Sequence, residues 1–210
     1  MHRGSKGVEN AVNWLAHAFL STPDQEFRLG NLLADMIRGR ERAAMPARFL
    51  QGVRHHQAID AFTDTHRIVF RSRARINGRF GHASGILIDI FYDHFLALDW
   101  DRYSSESFDE FTAKVYQEMR SGLECFSEDA RQAMDKIAAD DRLGAYRSLD
   151  GIEDSLRKVS RRLAKRIGRD LELERGVEDL INCFDSFRDD FTEFFPELRF
   201  YSDERLRAEG

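Results

Sequence analysis

No proline occurs between Pro46 and Pro196, and only 3 occur in all 210 residues. A chain of this length at the usual frequency of about 5% would carry roughly ten. Proline removes a backbone donor and clashes with the preceding helical turn, so its absence leaves long stretches free to be helix. Hydrophobic patterning agrees: period 3.6 recurs in nearly every segment, whereas bounded period-two alternation is hard to find. The sequence predicts an all-α, single-domain helical bundle of roughly seven helices, over about 12–21, 24–39, 46–73, 84–99, 107–139, 145–168 and 176–195. Pro23 and Pro46 fit the first turns of the second and third helices, and Pro196 is expected to close the last. The glycine-rich RINGRFGHASG around Asn77-Gly78 and Gly81 reads as the clearest loop.

Composition removes several function classes. With 32 Lys+Arg against 37 Asp+Glu, the net charge is -5, which argues against a general nucleic-acid binder. No apolar run approaches the length of a membrane span, and the first twelve residues lack the apolar stretch of a secretory signal. The 2 cysteines, Cys125 and Cys183, have no metal-binding spacing and fit a reducing compartment, so a cytoplasmic protein is expected. In the last helix Val177, Leu180, Ile181, Phe184, Phe187, Phe191, Phe194 and Phe195 form an apolar stripe, which reads as core packing.

Chemistry is concentrated in the first half, because all 7 histidines lie at or before His94. Phe49, Val53, His56, Asp60 and Asp64 follow one another at steps of three and four, so one inward helical stripe turns from apolar to imidazole and carboxylate. A His and an Asp four residues apart can reach one divalent ion, and that donor set suits Zn, Mn or Fe; a solvated face has the same pattern. In GILIDIFYDHFLAL, Asp89, Asp93 and His94 are the ionisable groups of a helix otherwise apolar all round, apart from the Tyr92 phenol. Interior acids need partners. His17 is the one polar residue of WLAHAFL, while periodicity puts Asn31 and Asp35 on a polar side with Arg28 and Arg38. Phosphate-loop, dinucleotide, serine-hydrolase, zinc-protease and di-iron motifs are absent. His and Asp spread over several helices is the general pattern of HD phosphohydrolases, yet no His-Asp dipeptide occurs, only the reversed Asp93-His94.

NWLAHAFL at 13–20, GNLLADMIRG at 30–39, HHQAIDAFTD at 55–64 and DIFYDHFL at 89–96, in this order, resemble the acyl carrier protein phosphodiesterases. The resemblance implies an HD-like helical domain over 13–200. It leaves 1–12 as a loose extension or a mis-assigned start, with Val12 marking the initiation codon, and 201–210 as a polar tail. It implies hydrolysis of 4′-phosphopantetheine from holo acyl carrier protein with a divalent metal, typically manganese, with iron, zinc or magnesium as alternatives. Carried onto these residues, it makes Asp35 essential and His17, Asp35, His56, Asp60 and Asp93 the metal ligands, with His94 as the alternative to Asp93. Asn31, Asp64 and His94 become supporting or phosphate-facing groups, with Asp64 or His94 moving protons. Arg38 or Arg67 would hold phosphate.

Residues 157–169, RKVSRRLAKRIGR, contain basic residues and no acid. Leu156, Val159, Leu163 and Ile167 keep an apolar face, so Arg157, Arg161, Arg162 and Lys165 are expected to project outward and attract an acidic carrier protein. A second cluster, Arg67, Arg71, Arg73, Arg75 and Arg79, would line the entrance. The competing readings are a nucleotide or cyclic-nucleotide phosphohydrolase, and a non-catalytic helical binding protein that uses the 157–169 surface. No membrane or nucleic-acid partner is expected.

Overall fold

The computed structural model describes residues 13–209, and the proposed extension at 1–12 lies outside them. No strand occurs among the described residues. In chain order the helices are α1 (Trp14–Phe19), α2 (Gln25–Leu33), α3 (Gly39–Ala43), α4 (Ala47–Thr65), α5 (Arg67–Phe80) and α6 (Ser84–Leu98). There follow α7 (Trp100–Tyr103), α8 (Phe108–Ser121), α9 (Glu128–Ala139), α10 (Leu149–Ile167), α11 (Gly176–Asn182) and α12 (Phe184–Glu209). The all-α expectation holds, in a single helical domain built round one continuous hydrophobic core.

Several predicted long helices are broken, each for an identifiable reason. The 46–73 helix divides at His66, whose backbone is extended and whose ring accepts from Ile68 N–H as the N-cap of α5. The 107–139 helix divides at Gly122, which adopts φ 58°, and restarts where the Ser127 hydroxyl caps α9. Arg42 donates to the carbonyls of Ala34 and Ile37, satisfying the open end of α2 well before residue 39.

Two punctuation signals are overridden by packing. RINGRFGHASG is helical up to Phe80, anchored by buried Ile76, and only Gly81 with φ 53° turns the chain. Pro196 lies inside α12 rather than ending it. Its ring faces solvent, while Phe194, Phe195 and Leu198 bind that helix to the core. Apolar burial of three such side chains, at roughly 1.5–3 kcal/mol each, outweighs the loss of one helical hydrogen bond. Residues 201–209 continue α12, and Ser202 is buried against His55 of α4.

The helices that carry the polar residues of the N-terminal half are held unusually close. A Cβ on Gly30 of α2 would fall 2.1 Å from the Phe49 carbonyl oxygen, and one on Gly52 of α4 would fall 2.0 Å from that of Phe27. Only glycine lets the two backbones touch there. Arg28 and Glu118 of α8 form an ion pair at 2.5 Å over the other side of α2, so what periodicity marks as a polar face is covered. Asn31 is therefore wholly buried.

Candidate functional site

α1 carries His17, α2 carries Asn31, and α4 carries His56 and Asp60. Both imidazoles are buried, and their rings stack with centroids 4.1 Å apart. His17 Nε2 lies 3.2 Å from Asp60 Oδ1, and His56 Nε2 lies 3.1 Å from Asp60 Oδ2. Neither Nε2 makes a well-directed hydrogen bond within the protein, although both are shut off from water. Two buried nitrogens and a partly exposed carboxylate thus face one point without satisfying one another, and these three are the group among the described residues spaced to hold an ion.

Asn31 selects the tautomer. Its Nδ2 donates to the His17 carbonyl at 2.8 Å and to Ser21 Oγ at 2.9 Å, so its Oδ1 accepts from His17 Nδ1–H at 2.8 Å. With the proton on Nδ1, the lone pair of His17 is on Nε2, the arrangement a metal ligand needs.

The electrostatics are those of a crowded, coupled site. Burial, reinforced by His56, holds His17 below its ordinary range. Burial also opposes charge on His56, but Asp60, Asp35 and the Asn31 backbone outweigh it and raise this imidazole. Desolvation pushes Asp60 upward, yet the two histidines prevail and hold it well below the usual carboxylate range. Two imidazole nitrogens and one carboxylate are a borderline donor set that fits a divalent zinc, manganese or iron ion.

Asp35 lies in the turn after α2, with Oδ2 4.0 Å from His56 Nε2. Because α2 stops at Leu33, Asp35 leaves the polar side that periodicity assigns it and faces the cluster. Asp93 is placed differently: both oxygens accept backbone N–H groups at 2.9 Å, from Leu15 and Ala16, so it anchors the start of α1. Burial drives its carboxyl up to about 8, against those two hydrogen bonds. His94 is turned to the Tyr146 carbonyl, to which its Nδ1 donates at 2.6 Å. Asp64 lies one turn beyond Asp60 with its side chain 75% exposed.

The basic candidates separate in the same way. Arg67 pairs with Glu193 at 2.8 Å, Arg71 and Arg75 close on buried Asp190, and Arg79 pairs with Asp179, so these four tie α5 to α11 and α12. Arg73 alone of that cluster turns to Asp64, at 3.5 Å, over the space left by Gly85. Arg38 donates to the Asp35 carbonyl at 2.6 Å. Arg157 pairs with Glu153 on its own helix, while Arg161, Arg162 and Lys165 are exposed on α10.

Sequence reasoning left Asp89 without a role. Desolvation and the charges of Asp60, Asp64 and Asp93 raise its carboxyl well above the ordinary range, opposed by Arg73. Its only signal was being an acid on an apolar helix.

A family model for acyl carrier protein phosphodiesterase matches residues 12–198. An acyl carrier protein phosphodiesterase of Photorhabdus laumondii is 28% identical over 188 residues, 89% of this chain and 93% of that protein. One from Escherichia coli is 27% identical over 89% of this chain and 95% of its own length. One from Yersinia pestis is 36% identical over 43% of this chain and 47% of that protein. No solved structure matches. The family match runs from just before α1 into α12 and encloses the whole His17–His56–Asp60 cluster, and on that extent the chain belongs to the acyl carrier protein phosphodiesterase family.

Proposed function

We propose that the protein is a metal-dependent phosphodiesterase that hydrolyses the 4′-phosphopantetheine group from the serine of holo acyl carrier protein, leaving the apo form. The carrying observation is the convergence of the His17 and His56 Nε2 atoms, neither in a well-directed hydrogen bond, on Asp60, inside a chain of this family. His17, His56 and Asp60 would hold the ion, manganese by family resemblance, with Asp35 beside them. When bound, such an ion acidifies water and draws charge from phosphoryl oxygens.

The chain's own residues do the remaining work. Asn31 keeps the His17 proton on Nδ1. Asp35, beside His56, and Asp89, whose carboxyl feels the charge of Asp60, would exchange protons with the attacking water and the leaving serine oxygen in preference to exposed Asp64 and to His94, which is engaged with the Tyr146 carbonyl. Arg73 supplies positive charge at the edge of this group, where it can stabilise phosphoryl oxygens. Exposed Arg161 and Lys165 on α10 offer a basic face to an acidic carrier protein.

Incubation with holo acyl carrier protein and Mn²⁺, followed by mass spectrometry, tests the reading. Conversion to the apo form, lost in His56→Ala, is expected; carrier protein left intact under manganese, iron, zinc and magnesium would refute it.

A further inference from the structure

A cleft of about 220 Å³ opens between the start of α1, α6 and α10, lined by Trp14, Ile90, Arg142, Tyr146, Lys158 and Arg162. Its donors outnumber its acceptors. The indole N–H of Trp14 and the Nε of Arg142 are buried without a hydrogen-bond partner. Arg142 reaches Asp140 at 3.3 Å, and Lys158 reaches Asp154 at 2.5 Å and Asp140 at 3.9 Å. Arg162 has no hydrogen bond or ion pair with any described residue. Partial loss of water and the charge of Arg142 lower its guanidinium from the ordinary range, with Asp35 pulling the other way. Uncompensated donors line the walls of the cleft, and the cationic heads of Arg162, Arg142 and Lys158 around its opening could hold one oxyanion together.

The cleft adjoins the cluster. Trp14 precedes His17 by one turn of α1, and Asp35, which faces His56, also influences Arg162. We infer that this cleft is a phosphomonoester subsite, which takes the phosphate end of the pantetheine arm once the arm is released. The identity of that ligand rests on the proposed function. In the hydrolysis the bond from phosphorus to the serine oxygen breaks, water oxygen bonds to phosphorus, and the serine oxygen takes a proton. The phosphate then leaves with the arm, carrying more negative charge than the diester did. A cationic cleft beside the cluster would draw it off, and partly buried Trp14 offers apolar surface to the first atoms of the chain it carries.

The test uses the full chain stripped of metal with chelator, titrated calorimetrically with inorganic phosphate and with 4′-phosphopantetheine. Both are expected to bind without metal, the organic phosphate more tightly. Arg162→Ala is expected to weaken both by about tenfold or more, the loss of a charge-assisted contact, and Arg162→Lys to restore part of it. Circular dichroism and metal content should not change, since Arg162 is exposed and lies outside the cluster. Phosphate affinity unchanged in Arg162→Ala, or binding that disappears with the metal, would overturn the subsite. Equal affinity for the two ligands would overturn the arm as its occupant. If holo carrier protein is converted while Arg162→Ala leaves phosphate affinity intact, the subsite fails and the proposed function stands. Arg162-dependent phosphate binding without conversion of the carrier protein would have the opposite meaning.

Discussion

Asn31 Oδ1 lies 2.8 Å from His17 Nδ1, and this contact between α2 and α1 decides which nitrogen of His17 faces the cluster. Asn31→Ala is expected to weaken metal binding about 10–100-fold, the usual cost of removing the group that orients a ligating histidine. Competition with a chromogenic chelator measures it. An unchanged affinity would show that the Asn31 contact does not orient a ligand.

Metal binding should depend on pH in a direction set by His56. Asp60 and Asp35 outweigh burial and raise this imidazole above 6.5, so a proton competes for its Nε2 even where an ordinary histidine is neutral. Affinity should therefore rise with pH through and beyond the usual imidazole range, with proton release on binding. Calorimetry in two buffers of different ionisation enthalpy reads the proton directly. In the metal-free protein the stability that His56 contributes is present in full below 6.5 and is lost as pH rises through its raised value; His17, depressed by burial, acts with the opposite sign.

Asp93 makes a separate stability prediction. Between 3.8 and about 8 the unfolded chain carries an ionised Asp93 while the folded one keeps its proton. The unfolded state then binds fewer protons, so this group's contribution to stability falls as pH rises across that window. Asp93→Asn should flatten the dependence of Tm on pH there. A slope identical to that of the unsubstituted protein would contradict it.

Gly30→Ala should be destabilising although alanine is the better helix former by about 1 kcal/mol. The added carbon would meet the Phe49 carbonyl oxygen at 2.1 Å, and backbone cannot move aside cheaply. A net loss of about 1–3 kcal/mol is expected in urea unfolding. Metal affinity should fall with it, because separating α2 from α4 moves Asn31 relative to His56.

Reversing charge on α5 and on α10 should have different consequences. Arg71 closes on Asp190, which is 2% exposed, so Arg71→Glu leaves a buried carboxylate without that cation and should lower Tm. Arg161 and Lys165 are exposed, and Arg161→Glu with Lys165→Glu should leave Tm nearly unchanged while raising the KM for carrier protein at low salt. Steady-state assays at two ionic strengths separate the two effects.

The helical class, the apolar stripe of Phe187, Phe191, Phe194 and Phe195, and the His56–Asp60 pair were all legible as periodicity, since side chains three and four residues apart share a face wherever the helix lies. Chain order alone could also show where imidazole is available. Breaks were less legible, because His66 and Gly122 end helices through side-chain caps and a left-handed backbone rather than through proline. Pro196 shows the converse, a breaker carried by a helix whose other face is buried. Which polar residues meet was settled by packing between distant segments. Gly30 and Gly52 bring two backbones into contact, Arg42 ends α2 so that Asp35 turns toward His56, and the N–H groups of Leu15 and Ala16 occupy Asp93. A residue's own neighbours in sequence set its face, but only contacts between helices set its partners, and a metal site consists of partners.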